Sequence, residues 1–274
     1  MQAALLDAGV RIAASYAVGR GRELTRRLRA IMKDEPPIVA VAGGDGSMTR
    51  AAAVLAHRRS VLAVLPLGTG NSFARSLGIT DVRSAVATLA TGRCCKIDLG
   101  LVNGRHFANF ATVGLSSEIA AHTPDALKRI AGVGAYVLSG IVPALREHRF
   151  RVKIKGKGVR FEGDVHHVIV ASGRYFGETP ILPTASVTSG KLAVYTTTAN
   201  GVPGIAKEFF AIARGRQTEL EQANWWTTTR VTVKTSERQL VAIDGKPVDE
   251  TPARFEIDPQ ALRVLVPVQF DGLP

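Results

Sequence analysis

Cysteine, aromatic residues and long apolar runs are all scarce in this chain of 274 residues. Its only cysteines, Cys94 and Cys95, are adjacent and cannot bridge distant segments, so reduced side chains in a reducing cytosol are the expectation. The longest apolar region, Ile130–Leu145, is interrupted by three glycines and Pro143. It falls short of the ~20 residues that span a bilayer, so a helix packed inside the protein is expected there. The start of the chain has no charged segment followed by a long apolar stretch, which excludes an ordinary secretory signal. These absences point to a cytoplasmic protein, peripheral to a membrane at most. Aromatics are 6% of the chain and are not interleaved with basic residues, so a nucleic-acid-binding stripe is not expected. There is no GxxxxGK[ST] loop, no GxGxxG after a strand and no GxSxG elbow. The histidines show no metal-ligand spacing. His166 and His167 are neighbours whose side chains face opposite sides of a strand.

Two glycine-rich turns stand out. Gly43-Gly44-Asp45-Gly46-Ser47 follows the apolar run Ile38–Ala42, and Pro66-Leu67-Gly68-Thr69-Gly70-Asn71 follows Val61–Leu65. A helix pattern follows each. Strand, tight turn, helix exposes backbone N–H groups at a helix N-terminus, where a phosphate can sit, and glycine lets the backbone approach it closely. Two such turns, one with a carboxylate, suggest a site for a polyphosphate and its metal. The net charge of +12 suits an anionic partner, a phosphate or a membrane face. A small excess of this charge lies in Arg20–Arg29 and Arg146–Lys157.

The first hundred residues alternate strand and helix signals. Strands are expected at Arg11–Val18, Ile38–Ala42 and Val61–Leu65. Helices are expected at Glu23–Lys33, Met48–His57, Asn71–Leu77 and Asp81–Ala90, with Asp81 as N-cap. This alternation predicts an α/β fold, a parallel sheet covered by helices on both faces. Beyond Leu101 helical patterns remain at Pro124–His148 and Ile205–Arg214. Otherwise the signals are strands rich in Val, Ile and Thr, at Arg149–Lys155, His166–Ala171, Leu192–Thr197, Thr227–Lys234 and Gln239–Ile243. The second half is therefore expected to be mainly antiparallel β.

The order and content of these elements resemble the diacylglycerol kinase catalytic domain, a lipid-kinase family that includes sphingosine kinases and is distantly related to NAD kinases. Val41–Ser47 is similar to the family's GGDGT loop and Leu65–Arg75 to its PLGTxNDFAR segment. Ile97-Asp98-Leu99-Gly100 matches its IDLG strand, and Asn109–Gly114 resembles the N-x-x-x-x-G run opening its second domain. Pro183-x-Ala185, Gly190-x-Leu192 and Asp244-Gly245-Lys246 resemble its P-x-A, DG-x-L and DGE elements. The resemblance implies an N-terminal three-layer α/β nucleotide-binding domain of residues 1–101 plus 258–274, with Arg254–Val266 returning to it. It implies a β-sandwich lipid-substrate domain of residues 102–257. It also implies ATP and Mg²⁺, a lipid substrate of diacylglycerol or sphingoid type, a peripheral contact with an anionic membrane surface, and compatibility with a homodimer.

The expected cradle for the nucleotide is Gly43, Gly44, Gly46, Ser47, Gly68, Thr69, Gly70 and Asn71. Asp45 and Asp98, at the ends of apolar strands, are the expected metal carboxylates, with Asp45 also catalytic. Read without the family, Asp45 is an Asp-Gly turn residue and Asp98 a capping carboxylate. Asp244 is the candidate general base that accepts the proton of the lipid hydroxyl; read alone, Ile-Asp-Gly-Lys-Pro is a hairpin turn. The chain departs from the family at four places. The N-P-x-S/A-G turn of the family's first strand does not appear: either the chain is truncated, its start is misassigned, or the element is lost, and a lost first strand would expose a sheet edge. Ser72 and Ser189 replace acids, and Lys246 replaces the acid of DGE. Lys246 is expected to depress the pKa of Asp244. These losses keep open a catalytically weak nucleotide- or lipid-binding protein on the same fold, and an enzyme of NAD-kinase type behind it.

Overall fold

The computed structural model describes residues 2–19, 21–114, 149–176, 179–180 and 184–272. The helical patterns at Pro124–His148 and Ile130–Leu145, and Pro183 of P-x-A, lie outside them.

The first half alternates as its pattern predicts. After helices α1 (Gln2–Asp7) and α2 (Gly21–Ile31) come β1 (Ile38–Gly43), α3 (Asp45–Leu55), β2 (Val61–Pro66), α4 (Ser72–Ser76) and α5 (Val82–Thr91). Asp81 caps α5 in a capping box with Ser84, each side chain bonded to the other's backbone N–H. β1 and β2 are parallel, from Ile38 opposite Val61 to Gly43 opposite Pro66. Leu62 to Pro66 of β2 are all buried, as they must be in a strand covered on both faces. α3 packs on β1 and β2, and α5 packs on β2.

Arg11–Val18 does not form the expected strand. An extended segment becomes a strand only against a partner, and β1 pairs with β2 alone among the described strands. Ile12 and Tyr16 are left exposed, and Arg27 lies over the Tyr16 ring.

The second half begins with β3 (Arg93–Val102), β4 (Arg105–Phe107) and β5 (Phe110–Gly114). It continues with β6 (Phe150–Gly156), β7 (Val159–Val165), β8 (His167–Ala171), the short β9 (Tyr175–Phe176) and β10 (Thr179–Pro180), and β11 (Leu192–Thr197). Helix α6 (Gly201–Ala213) follows, then β12 (Ala223–Thr228), β13 (Arg230–Thr235), β14 (Leu240–Ile243), β15 (Lys246–Glu250) and β16 (Ala253–Val266). One sheet runs β1-β2-β16-β13-β6-β7, with β3 and β4 beyond β16; the other runs β12-β11-β8-β5-β14-β15. The second sheet packs on β6, β7 and β13 of the first to form an antiparallel sandwich around Val152, Val170, Val194, Val231 and Phe255. Thr227–Lys234, expected as one strand, is two: the chain leaves one sheet at Thr228 and enters the other at Arg230. β7 escaped the sequence reading because Glu162, Gly163 and Asp164 look like a loop; in the fold β7 is the outer arm of a hairpin with β6.

β16 joins the two halves. Its first part pairs with β13 and its last part with β2, both beside β3. Between them the register slips at Asp258–Leu262, and Gln260 adopts a left-handed φ of 53°. This bulge lets one strand serve two differently twisted regions. No helix among the described residues is long and apolar enough to cross a membrane.

Candidate active site

Because β1 and β2 run parallel and in register, their C-terminal ends lie at one level, and both glycine turns emerge there side by side. The turns touch backbone to backbone. A Cβ on Gly68 would lie 2.5 Å from the Gly44 Cα, and one on Gly44 would lie 3.1 Å from the Gly68 Cα. Glycine is needed here for space. Asn71, with a left-handed φ of 49°, closes its own turn, accepting from the Gly68 N–H at 2.8 Å and donating to the Gly68 carbonyl at 2.7 Å. The Asp45 carboxylate crosses to the second turn and accepts the Phe73 N–H of α4 at 2.9 Å. The Ser47 side chain folds against Gly43. Thr69 is exposed, and Gly70 and Asn71 are partly exposed, at the rim. In the first turn of the eleven-residue α3 the Ser47 N–H donates to the Gly44 carbonyl at 2.9 Å, while the Asp45 and Gly46 amides have no carbonyl within the helix to bond, at an end where the helix dipole favours an anion.

The sandwich contributes the other wall. The β14–β15 hairpin turns at Asp244 and Gly245, whose φ values of 44° and 77° are those of a two-residue primed turn. The bare hairpin reading is right about the backbone and silent about the side chain. One Asp244 oxygen accepts the Thr49 hydroxyl of α3; the other accepts the Phe110 N–H at 3.2 Å. Thr49 lies one helical turn beyond Asp45. Nothing in the sequence singles it out except that spacing. Lys246, two residues past Asp244, sends its Nζ over the start of α3, 3.1 Å from where a Cβ on Gly46 would sit. Gly46 thus leaves room for an ammonium above the helix N-terminus.

The expected depression of Asp244 by Lys246 does not occur. Burial pushes the Asp244 carboxyl up to about 7, and the nearby Asp45 charge adds to the rise; the Thr49 and Phe110 hydrogen bonds only partly oppose it. Lys246 points at Gly46 and is not among the leading causes that set this carboxyl. A carboxylate poised near neutral pH is suited to taking a proton.

Asp98 is placed differently. It is 3% exposed, and its two oxygens accept the Gly190 N–H at 2.6 Å and the Gln260 N–H at 2.8 Å. It clamps the 186–190 turn and the β16 bulge. Asp45, Asp98 and Asp244 form no three-carboxylate cluster among the described residues. Ser189 closes its own turn by donating to the Ser186 carbonyl at 3.0 Å. Asp98→Ala would leave the part-buried Gly190 and Gln260 amides without their acceptor and is expected to destabilise the fold by roughly 1–3 kcal/mol. Chemical denaturation checks this; a change below about 1 kcal/mol would remove the clamp role.

Asn109 ties the halves behind the second turn. Its amide donates to the Tyr175 carbonyl, and its oxygen accepts from Ser76 of α4 at 3.2 Å.

Residues 2–102 match the family described as the diacylglycerol kinase catalytic domain, and residues 110–266 match the YegS C-terminal NAD kinase beta sandwich-like domain. A protein named "Probable lipid kinase YegS-like" in Pseudomonas aeruginosa (strain UCBPP-PA14) is 33% identical over 231 residues, covering 82% of this chain and 75% of its own. The chain belongs to the diacylglycerol kinase-like lipid kinase family. A protein named diacylglycerol kinase in Staphylococcus carnosus (strain TM300) is 24% identical over 257 residues, covering 92% of this chain and 84% of its own. Two solved structures from Bacillus anthracis str. Sterne, one described as a diacylglycerol kinase, share the fold. Their TM-scores are 0.80 and 0.75 at 24% and 21% identity, over 96% of this chain and 88% of theirs. Within this lipid kinase family the chain carries Ser72, Ser189 and Lys246 where the resemblance led us to expect acids.

Proposed function

We propose that this chain transfers the γ-phosphate of ATP to the hydroxyl of a lipid of diacylglycerol or sphingoid type, with Mg²⁺. The observation that carries the reading is the hairpin of Asp244 and Lys246. It brings a carboxylate with a pKa near 7 and an ammonium onto α3, beside the two glycine turns. The residues fit a polyphosphate: a cradle without side chains, the amides of a helix N-terminus, and a cation above them. They also fit a magnesium ion, which needs only one or two carboxylates besides phosphate oxygens and water; Asp45 sits at the rim to supply one. When bound, ATP and Mg²⁺ supply the phosphoryl group and neutralise its charge.

The chain's own residues do the rest. Gly44 and Gly68 keep the cradle free of side chains. Lys246 balances negative charge at Gly46. Thr49 and the Phe110 N–H hold Asp244 in place, and Asp244 takes the proton from the acceptor hydroxyl as its oxygen attacks phosphorus. Arg22, Arg26 and Arg29 of α2 line one surface cleft with Arg50 of α3, which supports docking on an anionic membrane surface.

The test is purified protein with Mg²⁺, γ-labelled ATP and a mixed lipid extract in detergent micelles. Labelled lipid is the expected result, and its identity names the acceptor. ATP binding without label would instead favour a non-catalytic binding protein, the reading to which Lys246 in place of an acid lends weight. Lys246→Ala is expected to raise the KM for ATP by roughly tenfold, the worth of one charge-assisted contact to phosphate. An unchanged KM would remove Lys246 from the phosphate site.

A further inference from the structure

Three side chains far apart in sequence meet at the β16 bulge. His57, just past the end of α3, and His106 of β4 both direct Nε2 at the same oxygen of Asp258, at 2.9 and 2.8 Å. The three ligand-capable atoms all lie within 4.8 Å of one another, the one such group of three or more His, Cys, Asp or Glu among the described residues. The backbone holds them there. β4 and β16 flank β3 on either side, with His106 opposite Leu101 and Asp258 opposite Leu99. The His57 N–H donates to the Ala261 carbonyl of the bulge at 2.7 Å, fixing the left-handed His57 backbone at φ 61°. His106 and Asp258 are largely covered, at 19% and 18% side-chain exposure, while His57 is 61% exposed and leaves one side open.

We propose that His57, His106 and Asp258 bind a divalent zinc ion that fastens the C-terminal end of α3 to the β16 bulge. Two imidazoles and one carboxylate are a zinc-type donor set, with the fourth position open to water; they are too nitrogen-rich for magnesium. Ligands about 2.1 Å from a tetrahedral ion stand about 3.4 Å apart. The two N···O spacings would therefore lengthen by about half an ångström when the ion enters. Each neutral imidazole carries its proton on Nδ1 in this state, so that Nε2 offers its lone pair in place of an N–H. The site is distinct from the glycine-turn phosphate site and does not depend on the proposed transfer.

The experiment is calorimetric titration of chelator-treated full-length protein with zinc chloride, with thermal unfolding beside it. One zinc ion per chain at micromolar affinity or tighter is expected, with a rise in melting temperature because only the folded chain assembles the site. His57→Ala, which removes an exposed side chain, is expected to weaken binding at least tenfold and abolish the melting shift. Asp258→Asn should weaken it while keeping an oxygen acceptor for both histidines. A Cys94→Ser/Cys95→Ser variant should bind like the parent, and cobalt substituted for zinc should show no thiolate charge-transfer band. Full affinity in both His57→Ala and His106→Ala, zinc binding lost in the cysteine variant, or no binding to the parent would each overturn the proposal.

Discussion

Asp244→Asn is expected to slow phosphoryl transfer by orders of magnitude and, above pH 7, to make the folded protein more stable. The two effects share one cause. Burial raises the Asp244 carboxyl from 3.8 to about 7 in the folded chain. Between those values the folded state holds a proton that the unfolded state has released, so stability falls as pH rises through that window and is lowest above it. The ionised carboxylate is thus a burden on the fold at working pH, on the order of 2–4 kcal/mol. Asparagine removes that burden. Its amide can still donate to Thr49 once the hydroxyl rotates, while its oxygen accepts the Phe110 N–H. The variant should match the parent near pH 4 and melt several degrees higher at pH 8. Transfer should drop by about 10²–10⁴-fold, the usual worth of a general base, with ATP affinity little changed. In the parent, kcat/KM should climb as pH rises through about 7 and level off, and the variant should lack that limb. Activity within tenfold of the parent, or a stability gain independent of pH, would refute the assignment.

Gly68→Ala is expected to abolish nucleotide binding through the backbone alone. The added Cβ would stand 2.5 Å from the Gly44 Cα and 2.9 Å from the Asn71 oxygen that closes the turn. The Gly44 neighbour is backbone and cannot swing aside as the Asn71 side chain can, so the two turns must separate. Overpacking of this kind costs about 1–3 kcal/mol of stability. The larger effect is on function. Asp45 bonds Phe73 across the gap between the turns, and separating them breaks that bond and splays the cradle. Affinity for a non-hydrolysable ATP analogue should fall by at least about 100-fold, since several amides lose their alignment together. Gly104→Ala is the control. It also strains a glycine, at φ 78°, but nothing lies within 4 Å of the new Cβ, so stability should fall while nucleotide affinity stays. Equal loss of binding in both variants would show that general destabilisation, and not the Gly44–Gly68 contact, controls the site.

Much of this was legible in the sequence. The runs Ile38–Ala42 and Val61–Leu65 end in glycine turns, and residues so close along the chain must fold into neighbouring strand–turn–helix units. Their adjacency needed only parallel pairing. The same holds for Asp81, whose capping partner Ser84 is three residues away. Arg11–Val18 read as a strand because composition reports propensity; whether a strand forms depends on a pairing edge, which composition does not contain. The grouping of His57, His106 and Asp258 was invisible for the same reason, since three elements widely separated in the chain converge only through sheet pairing across β3.

Asp98 and Asp244 mark the division most clearly. The sequence reading assigns Asp98 to a metal and Asp244 to proton transfer, each with a plain turn or cap as its alternative. In the fold Asp98 has two backbone amides to hold, whereas Asp244 is buried against α3 with Asp45 nearby. The sequence by itself determined the alternating α/β half, the strand-rich half and the paired glycine turns, because these depend on local propensity and short-range geometry. Only the tertiary structure decided which carboxylate clamps two backbone amides and which is buried against α3, and that Lys246 faces Gly46. Proximity along a chain sets the sign of a neighbouring charge, but the direction of a side chain and its removal from water are set by what packs around it.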